Sequence, residues 1–298
     1  MEIPNPFHHT GFKMIWMISH SYLSAGARLH YVDSGTGVPV LFLHPTPLDH
    51  VYWLPLIENL AERLPSLCAI VLDLRAHGAS ELGAALPTGG FSRVPDAPTL
   101  TMSQLADDTL VLLDQLGLHQ AVFVGCSIGG YVMLELWRRA PERMRGLAFI
   151  CSKPQPDAES NFIKRADTIA RARAGETDTL FDGMVLASTG ATARARRPAI
   201  VPELRARMTL TADAIVAVQA GLAARPDSVP TVATITAPVF GVAGGEDFAV
   251  SPAEMEVFRA APGGCEVHVL PDAGHFAAYE QPGTVASLLA PWLQQFGI

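Results

Sequence analysis

Residues 121–137 constrain the fold more than any other stretch. Ala121-Val122-Phe123-Val124 is an apolar run that reads as a strand, and Tyr131 to Trp137 reads as a helix. Gly125-Cys126-Ser127-Ile128-Gly129 joins them. A chain that passes from strand to helix over so few residues brings its backbone close to itself two residues before and two after the serine. Glycine at both places removes the Cβ that would clash. The turn lifts the Ser127 hydroxyl to a helix N-terminus, where backbone N–H groups can face developing negative charge.

The rest of the chain repeats this alternation. Val38–Leu43, Cys68–Leu74, Leu147–Cys151, Pro238–Ala243 and Glu266–Leu270 read as strands. Trp53–Leu64, Thr101–Leu116, Ser251–Ala261 and Thr284–Phe296 read as helices between or after them. The strands are continuously apolar rather than alternating, as expected when both faces of a parallel sheet are covered. Residues 19–33 read as a hairpin turning near Ser24-Ala25-Gly26, and the first twenty residues as a loosely ordered arm. Thr101, with Gln104 three residues on, predicts a capping box. The expected fold is α/β: a doubly wound, mostly parallel β-sheet.

Two stretches break the repeat. Glu81 to Pro98 is rich in Gly and Pro and reads as a surface loop. Lys153 to Thr236 holds helical patterns at Ala158–Ala174, Asp178–Ser188, Val201–Met208 and Ala212–Ala224 without a clear strand. It is too long for one crossover. The predicted organisation is a core of residues 1–152 and 237–298 with a helical cap inserted over residues 153–236.

Composition removes several function classes. The net charge is −8 and Lys13, Lys153 and Lys164 are the only lysines, so nucleic acid is excluded as a partner. No apolar run approaches the length of a membrane span, and Met14–Ile18 is too short for a secretory signal. Cys68, Cys126, Cys151 and Cys265 are dispersed, which suits free thiols in a reducing cytoplasm. The oligomeric state stays open, a homodimer included.

Ser127 needs a base to take its proton. His275 stands in the loop after the last strand, in Leu270-Pro271-Asp272-Ala273-Gly274-His275. Asp247, in Gly244-Gly245-Glu246-Asp247 after another strand, is placed to orient that histidine, with Glu246 beside it as the alternative. All three residues follow strands, where ligands bind in such sheets. Two N–H donors for an oxyanion are Ile128 and Thr46; Pro45 and Pro47 have no N–H. Trp53, next to Tyr52, and Phe162, Phe181 and Met184 are candidate substrate-binding walls, with ordinary helix packing as the alternative. Asp73, Arg75 and His77 read as a structural cluster. Eight arginines from Arg165 to Arg207 face five acids, which reads as a solvated helical surface or as a basic rim that guides an anionic substrate.

These motifs together resemble the α/β-hydrolase fold superfamily, in its lactonase-, esterase- and non-haem-peroxidase-like branch. The resemblance rests on His44-Pro45-Thr46-Pro47-Leu48-Asp49, Asp73 to Ser80, Gly125 to Gly130, Gly244 to Asp247 and Gly274-His275. Pro45 and Ala76 stand where that family commonly has glycine. The resemblance implies a Ser-His-Asp triad, a small-molecule ester or lactone substrate, and neither metal nor organic cofactor. Relatives that open epoxides or cleave haloalkanes carry aspartate where this chain has Ser127, which points to acyl transfer. A C–C bond hydrolase, a thioesterase, a perhydrolase and a non-catalytic ligand receptor are compatible with the same residues.

Overall fold

Eight strands pair in the order β1-β2-β4-β3-β5-β6-β7-β8 in a computed structural model that describes residues 17–83 and 97–298. The arm expected at the N-terminus, most of the Met14–Ile18 run and most of the Glu81–Pro98 loop lie outside the described residues. β1 (Ile18–Ser24) and β2 (Ala27–Ser34) form the expected hairpin. Its turn puts Ala25 at φ 44° and Gly26 at φ 76°. β2 runs antiparallel to β4 (Cys68–Leu72). From there the pairing is parallel through β3 (Pro39–Leu43), β5 (Ala121–Cys126), β6 (Met144–Ile150), β7 (Val239–Gly244) and β8 (Cys265–Leu270). Every residue of β5 and β7 is buried, which is why these strands are apolar throughout.

Helices cover the sheet. α1 (Leu54–Ala61) packs on α12 (Pro282–Gln294), and α2 (Met102–Gln115) on α3 (Ile128–Arg139). Two local expectations are corrected. The Thr101 side chain accepts from Gln104 N at 3.1 Å, but the Gln104 side chain donates to Asp108 Oδ1 at 3.1 Å, so the box is half made. The single helix expected over 251–261 is instead α10 (Pro252–Met255) followed by a 3₁₀ turn. Side chains three apart eclipse in that tighter coil, and Arg259 Nε meets Glu256 Oε2 there at 2.5 Å.

Between β6 and β7 the chain forms α4 (Glu159–Arg173), α5 (Thr177–Ser188), α6 (Ala191–Arg196), α7 (Ile200–Arg205), α8 (Ala212–Ala223) and α9 (Val229–Val232). None of its described residues joins the sheet. Asp157 holds its base, paired with Arg165 at 2.5 Å and with Arg225 at 3.0 Å, and the Arg225 guanidinium lies 4.2 Å from the Tyr131 ring centroid on α3. On α8, Ala217 O accepts from Leu100 N at 3.0 Å, and a Cβ on Gly221 would fall 1.7 Å from Leu100 O. Only glycine permits that approach.

Candidate active site

Ser127 sits between the last residue of β5 and the first of α3 at φ 52° and ψ −115°. L-residues rarely adopt this backbone, so the surroundings must impose it. A Cβ on Gly125 would lie 2.7 Å from Gly129 C, and one on Gly129 would lie 2.1 Å from Leu43 O. The two glycines let the turn close on itself and wedge against β3. Ser127 N donates to Ile150 O at 3.2 Å, and Ser152 Oγ donates to Ser127 O at 2.9 Å. As the first residue of α3, Ile128 has an N–H without an acceptor inside the helix.

His275 follows β8 in the predicted loop and is buried. Its Nδ1 lies 2.8 Å from Asp247 Oδ2, while Asp247 Oδ1 accepts from Ala249 N at 2.7 Å and Val250 N at 3.1 Å. Burial opposes charge on Asp247, but the His275 charge and hydrogen bond and the two amides outweigh it and hold the carboxyl below its usual range. Burial also opposes charge on His275, yet the facing Asp247, aided by Glu280, raises this imidazole above its usual value. Since Nδ1 faces a carboxylate it carries the proton, and Nε2 is left as the accepting nitrogen. Glu246, the alternative acid, instead accepts from Thr192 N at 2.9 Å and Thr192 Oγ1 at 2.5 Å.

The loop after β3 is braced by two neutral histidines. His44 Nε2 accepts from Leu74 N at 2.9 Å and its Nδ1 lies 3.0 Å from Pro45 O. His77 Nδ1 lies 2.9 Å from Arg75 O and its Nε2 lies 2.9 Å from Thr46 Oγ1. Burial drives His44 down to about 3 and His77 down to about 4. Asp73 accepts from His30 Nδ1 at 2.8 Å, His50 Nδ1 at 2.9 Å and Ala79 N at 3.0 Å. Arg75 forks onto Asp108 at 2.8 and 2.6 Å. These groups tie the loops after β3 and β4 together.

Thr46, Ser127 and His275 open on one cavity of about 700 Å³. The inserted helices supply much of its remaining wall, including Ile163, Leu180 and Met184. The family model described as alpha/beta hydrolase fold matches residues 38–282. The chain belongs to the alpha/beta hydrolase fold family. An esterase from Thermogutta terrifontis is similar at 27% identity and TM-score 0.79, covering 94% of this chain and 98% of that one. The enol-lactonase from Burkholderia xenovorans LB400 matches at TM-score 0.79 and 22% identity, over 92% of this chain and all of that one, a likeness of fold. Bifunctional epoxide hydrolase 2 of Sus scrofa is 30% identical over 133 residues, 44% of this chain. That match spans only 22% of the longer epoxide hydrolase.

Within this hydrolase-fold chain, three of the four expected wall residues do not face the cavity. Trp53 is fully buried in the core, its ring 5.5 Å from Phe42 and 4.7 Å from Tyr52. Tyr52 reaches beneath the elbow, where its hydroxyl donates to Cys126 Sγ at 3.3 Å. Phe181 is buried under the Arg205 guanidinium, 5.4 Å from its ring centroid. At Phe162 it is the next residue, Ile163, that lines the cavity. Trp53 and Phe181 are aromatic residues at core spacing and go to the core, whereas Phe162 is only partly buried. Met184 does line the cavity. Phe248, 6.4 Å from the His275 ring, joins the wall as well. Sequence reasoning passed over it, although it directly follows Asp247.

Proposed function

We propose that this chain is a serine hydrolase that cleaves carboxylic esters or lactones through Ser127, His275 and Asp247. The observation that carries the reading is the Ser127 hydroxyl, raised on a strained turn into the same cavity as an imidazole whose far nitrogen is held by a buried carboxylate. Serine rather than aspartate at that turn favours acyl transfer over epoxide opening. The likeness to a thermophilic esterase over nearly the whole chain supports the same class.

His275 Nε2 takes the Ser127 proton as Oγ attacks the carbonyl carbon. The imidazolium charge is stabilised by Asp247, and the oxyanion by the N–H groups of Ile128 and Thr46. The C–O bond to the leaving group then breaks, and His275 returns the proton to that oxygen. Water, activated by the same base, attacks the acyl carbon and frees Ser127. These steps use only side chains, backbone amides and water. Residues 153–236 act as a cap: their side chains wall the cavity over Ser127, limit water entry and select the substrate by shape.

The test is labelling with a fluorophosphonate probe, wild type against Ser127→Ala, followed by turnover of p-nitrophenyl esters and simple lactones. The expected result is labelling and turnover in the wild type, with turnover lowered by at least about 10³-fold in Ser127→Ala. Undiminished hydrolysis by a folded Ser127→Ala protein overturns the mechanism.

A further inference from the structure

Motif spacing points to Asp247 as the acid partner of His275, but a second carboxylate lies behind the same loop. Glu280 ends α11 (Ala277–Glu280). Its Oε2 accepts from Gly274 N at 2.8 Å and from Gly190 N at 3.1 Å, and its Oε1 accepts from Phe276 N at 3.2 Å. The two amides that flank His275 and one amide of the helical insertion therefore converge on one carboxylate. The remaining amide of the triplet, His275 N, donates to Ser188 O of the insertion at 2.8 Å. The two segments touch so closely that a Cβ on Gly274 would lie 2.3 Å from Gly190 N, and one on Gly190 would lie 2.8 Å from Glu280 Oε2.

We propose that Glu280 is a positioning residue: it locks the His275 loop to the segment Ser188–Gly190 of the insertion and adds a second negative charge behind the imidazole. The proposal rests on the reading of His275 as the base. Its geometric part is the three-amide clamp. With every amide of residues 274–276 engaged, the ring enters the cavity from a backbone that the sheet and the insertion hold jointly. A shift of the insertion thus reaches the base through Gly190 and Ser188.

The electrostatic part follows from what surrounds both groups. His275 is faced by Asp247 and Glu280, which favour its charged form, and by Lys153, which opposes it. Phe248 and Phe276 pack beside the ring, and Cys126 Sγ lies 3.8 Å from the His275 carbonyl oxygen. Burial raises the Glu280 carboxyl above its usual value, while the three amides and His275 work the other way. Arg196, Arg197 and Asp272 share a shallow cavity with Glu280, and the charge of Glu280 is also felt by Tyr52 and Cys126. Glu246 lies across Gly190 but spends both oxygens on Thr192.

The experiment compares Glu280→Gln, Glu280→Asp and Glu246→Gln with the wild type, by melting temperature and by the pH profile of kcat/KM on an ester or lactone that the wild type turns over. Gln keeps the size, removes the charge and retains one acceptor oxygen, so part of the amide clamp is lost along with the charge; the imidazolium loses support and the acid limb moves to lower pH, by about one unit for a nearby charge. Asp keeps the charge and shortens the reach, so the limb stays and kcat falls. Glu246→Gln leaves the limb in place. A folded Glu280→Gln protein with the wild-type limb overturns the proposal, as does an equal limb shift in Glu246→Gln. Should Glu280→Gln not fold, a limb shift in Glu280→Asp overturns it. If the wild type turns over neither esters nor lactones, the hydrolase reading fails. The Glu280 link is then read by NMR titration of the His275 ring, where the same shift in Glu280→Gln sustains it and an unshifted ring overturns it.

Discussion

Ser127 holds a backbone conformation that L side chains avoid, at φ 52°. Such a conformation costs of order 1–3 kcal/mol and persists because Gly125, Gly129 and the bonds to Ile150 and Ser152 enclose it. Glycine relieves this strain, whereas alanine does not. Ser127→Gly should therefore melt above Ser127→Ala, by an amount corresponding to about 1 kcal/mol, and both should lack turnover. Equal melting points would show that the turn stores no strain. At the same scale, if His275 is the base of the proposed mechanism, its raised imidazole sets the pH profile. A base must be neutral to accept a proton, so the acid limb of kcat/KM in the wild type should lie above the ordinary histidine value of about 6.5.

At the scale of elements, a buried ion pair closes the base of the helical insertion, and one of its members reaches the core. Asp157 and Arg225 have side chains only 2% and 3% exposed, and Arg225 also covers Tyr131. Removing one partner of such a pair leaves a buried charge. Arg225→Met should destabilise the protein by about 3 kcal/mol, moderated by Arg165, which still reaches Asp157. Differential scanning calorimetry would check this, and an unchanged melting temperature would refute it. The elements of the core were legible because their apolar runs are long and both faces of the sheet are covered. The Ser251–Ala261 segment was less so. A Ser-Pro start with an acid at the third helical position signals a helix N-terminus equally well for one turn or for three, and only packing against β8 decides which.

At the scale of the whole molecule, charge is organised in pairs. Arg165, Arg171, Arg196, Arg197, Arg205 and Arg207 of the insertion each form an ion pair. This pairing disperses the basic rim that their number alone suggested, so kcat/KM for an anionic ester should vary little with ionic strength. The pH dependence of stability has a different origin. His44 and His77 are held neutral in the folded state, with values of about 3 and about 4. Below about pH 6.5 the unfolded chain binds protons there that the folded chain refuses, so stability is full above that pH and declines towards pH 4. At pH 5 each group removes roughly 2 kcal/mol. His50 and His275 are raised and act in the opposite sense. A single replacement separates the two: His77→Asn should narrow the difference in melting temperature between pH 7 and pH 5, and an unchanged difference would contradict the assignment.

Residues whose role follows from local backbone geometry were readable in the sequence. Gly125 and Gly129 announce the turn, Pro45 and Pro47 leave Thr46 with the only backbone N–H among residues 45–47, and the loops after β7 and β8 carry Asp247 and His275 to the carboxyl edge of the sheet. The choice of Asp247 over Glu246 was not local, since both leave the same turn and only the fold sends one to His275 and the other to Thr192. The same holds for Trp53 and Phe181, which went to the core, and for Phe248 and Ile163, which went to the cavity. Sequence reasoning passed over Glu280. Two of its amide partners, Gly274 N and Phe276 N, lie only six and four residues before it in the His275 loop, a short spacing that could have drawn attention to it, whereas the third, Gly190 N of the insertion, is distant in sequence and is met only in the fold. Periodicity and turn chemistry act within a few residues, so they determine strands, helices and elbows. Which side chains meet across the cavity depends on how those elements pack, and packing belongs to the tertiary structure.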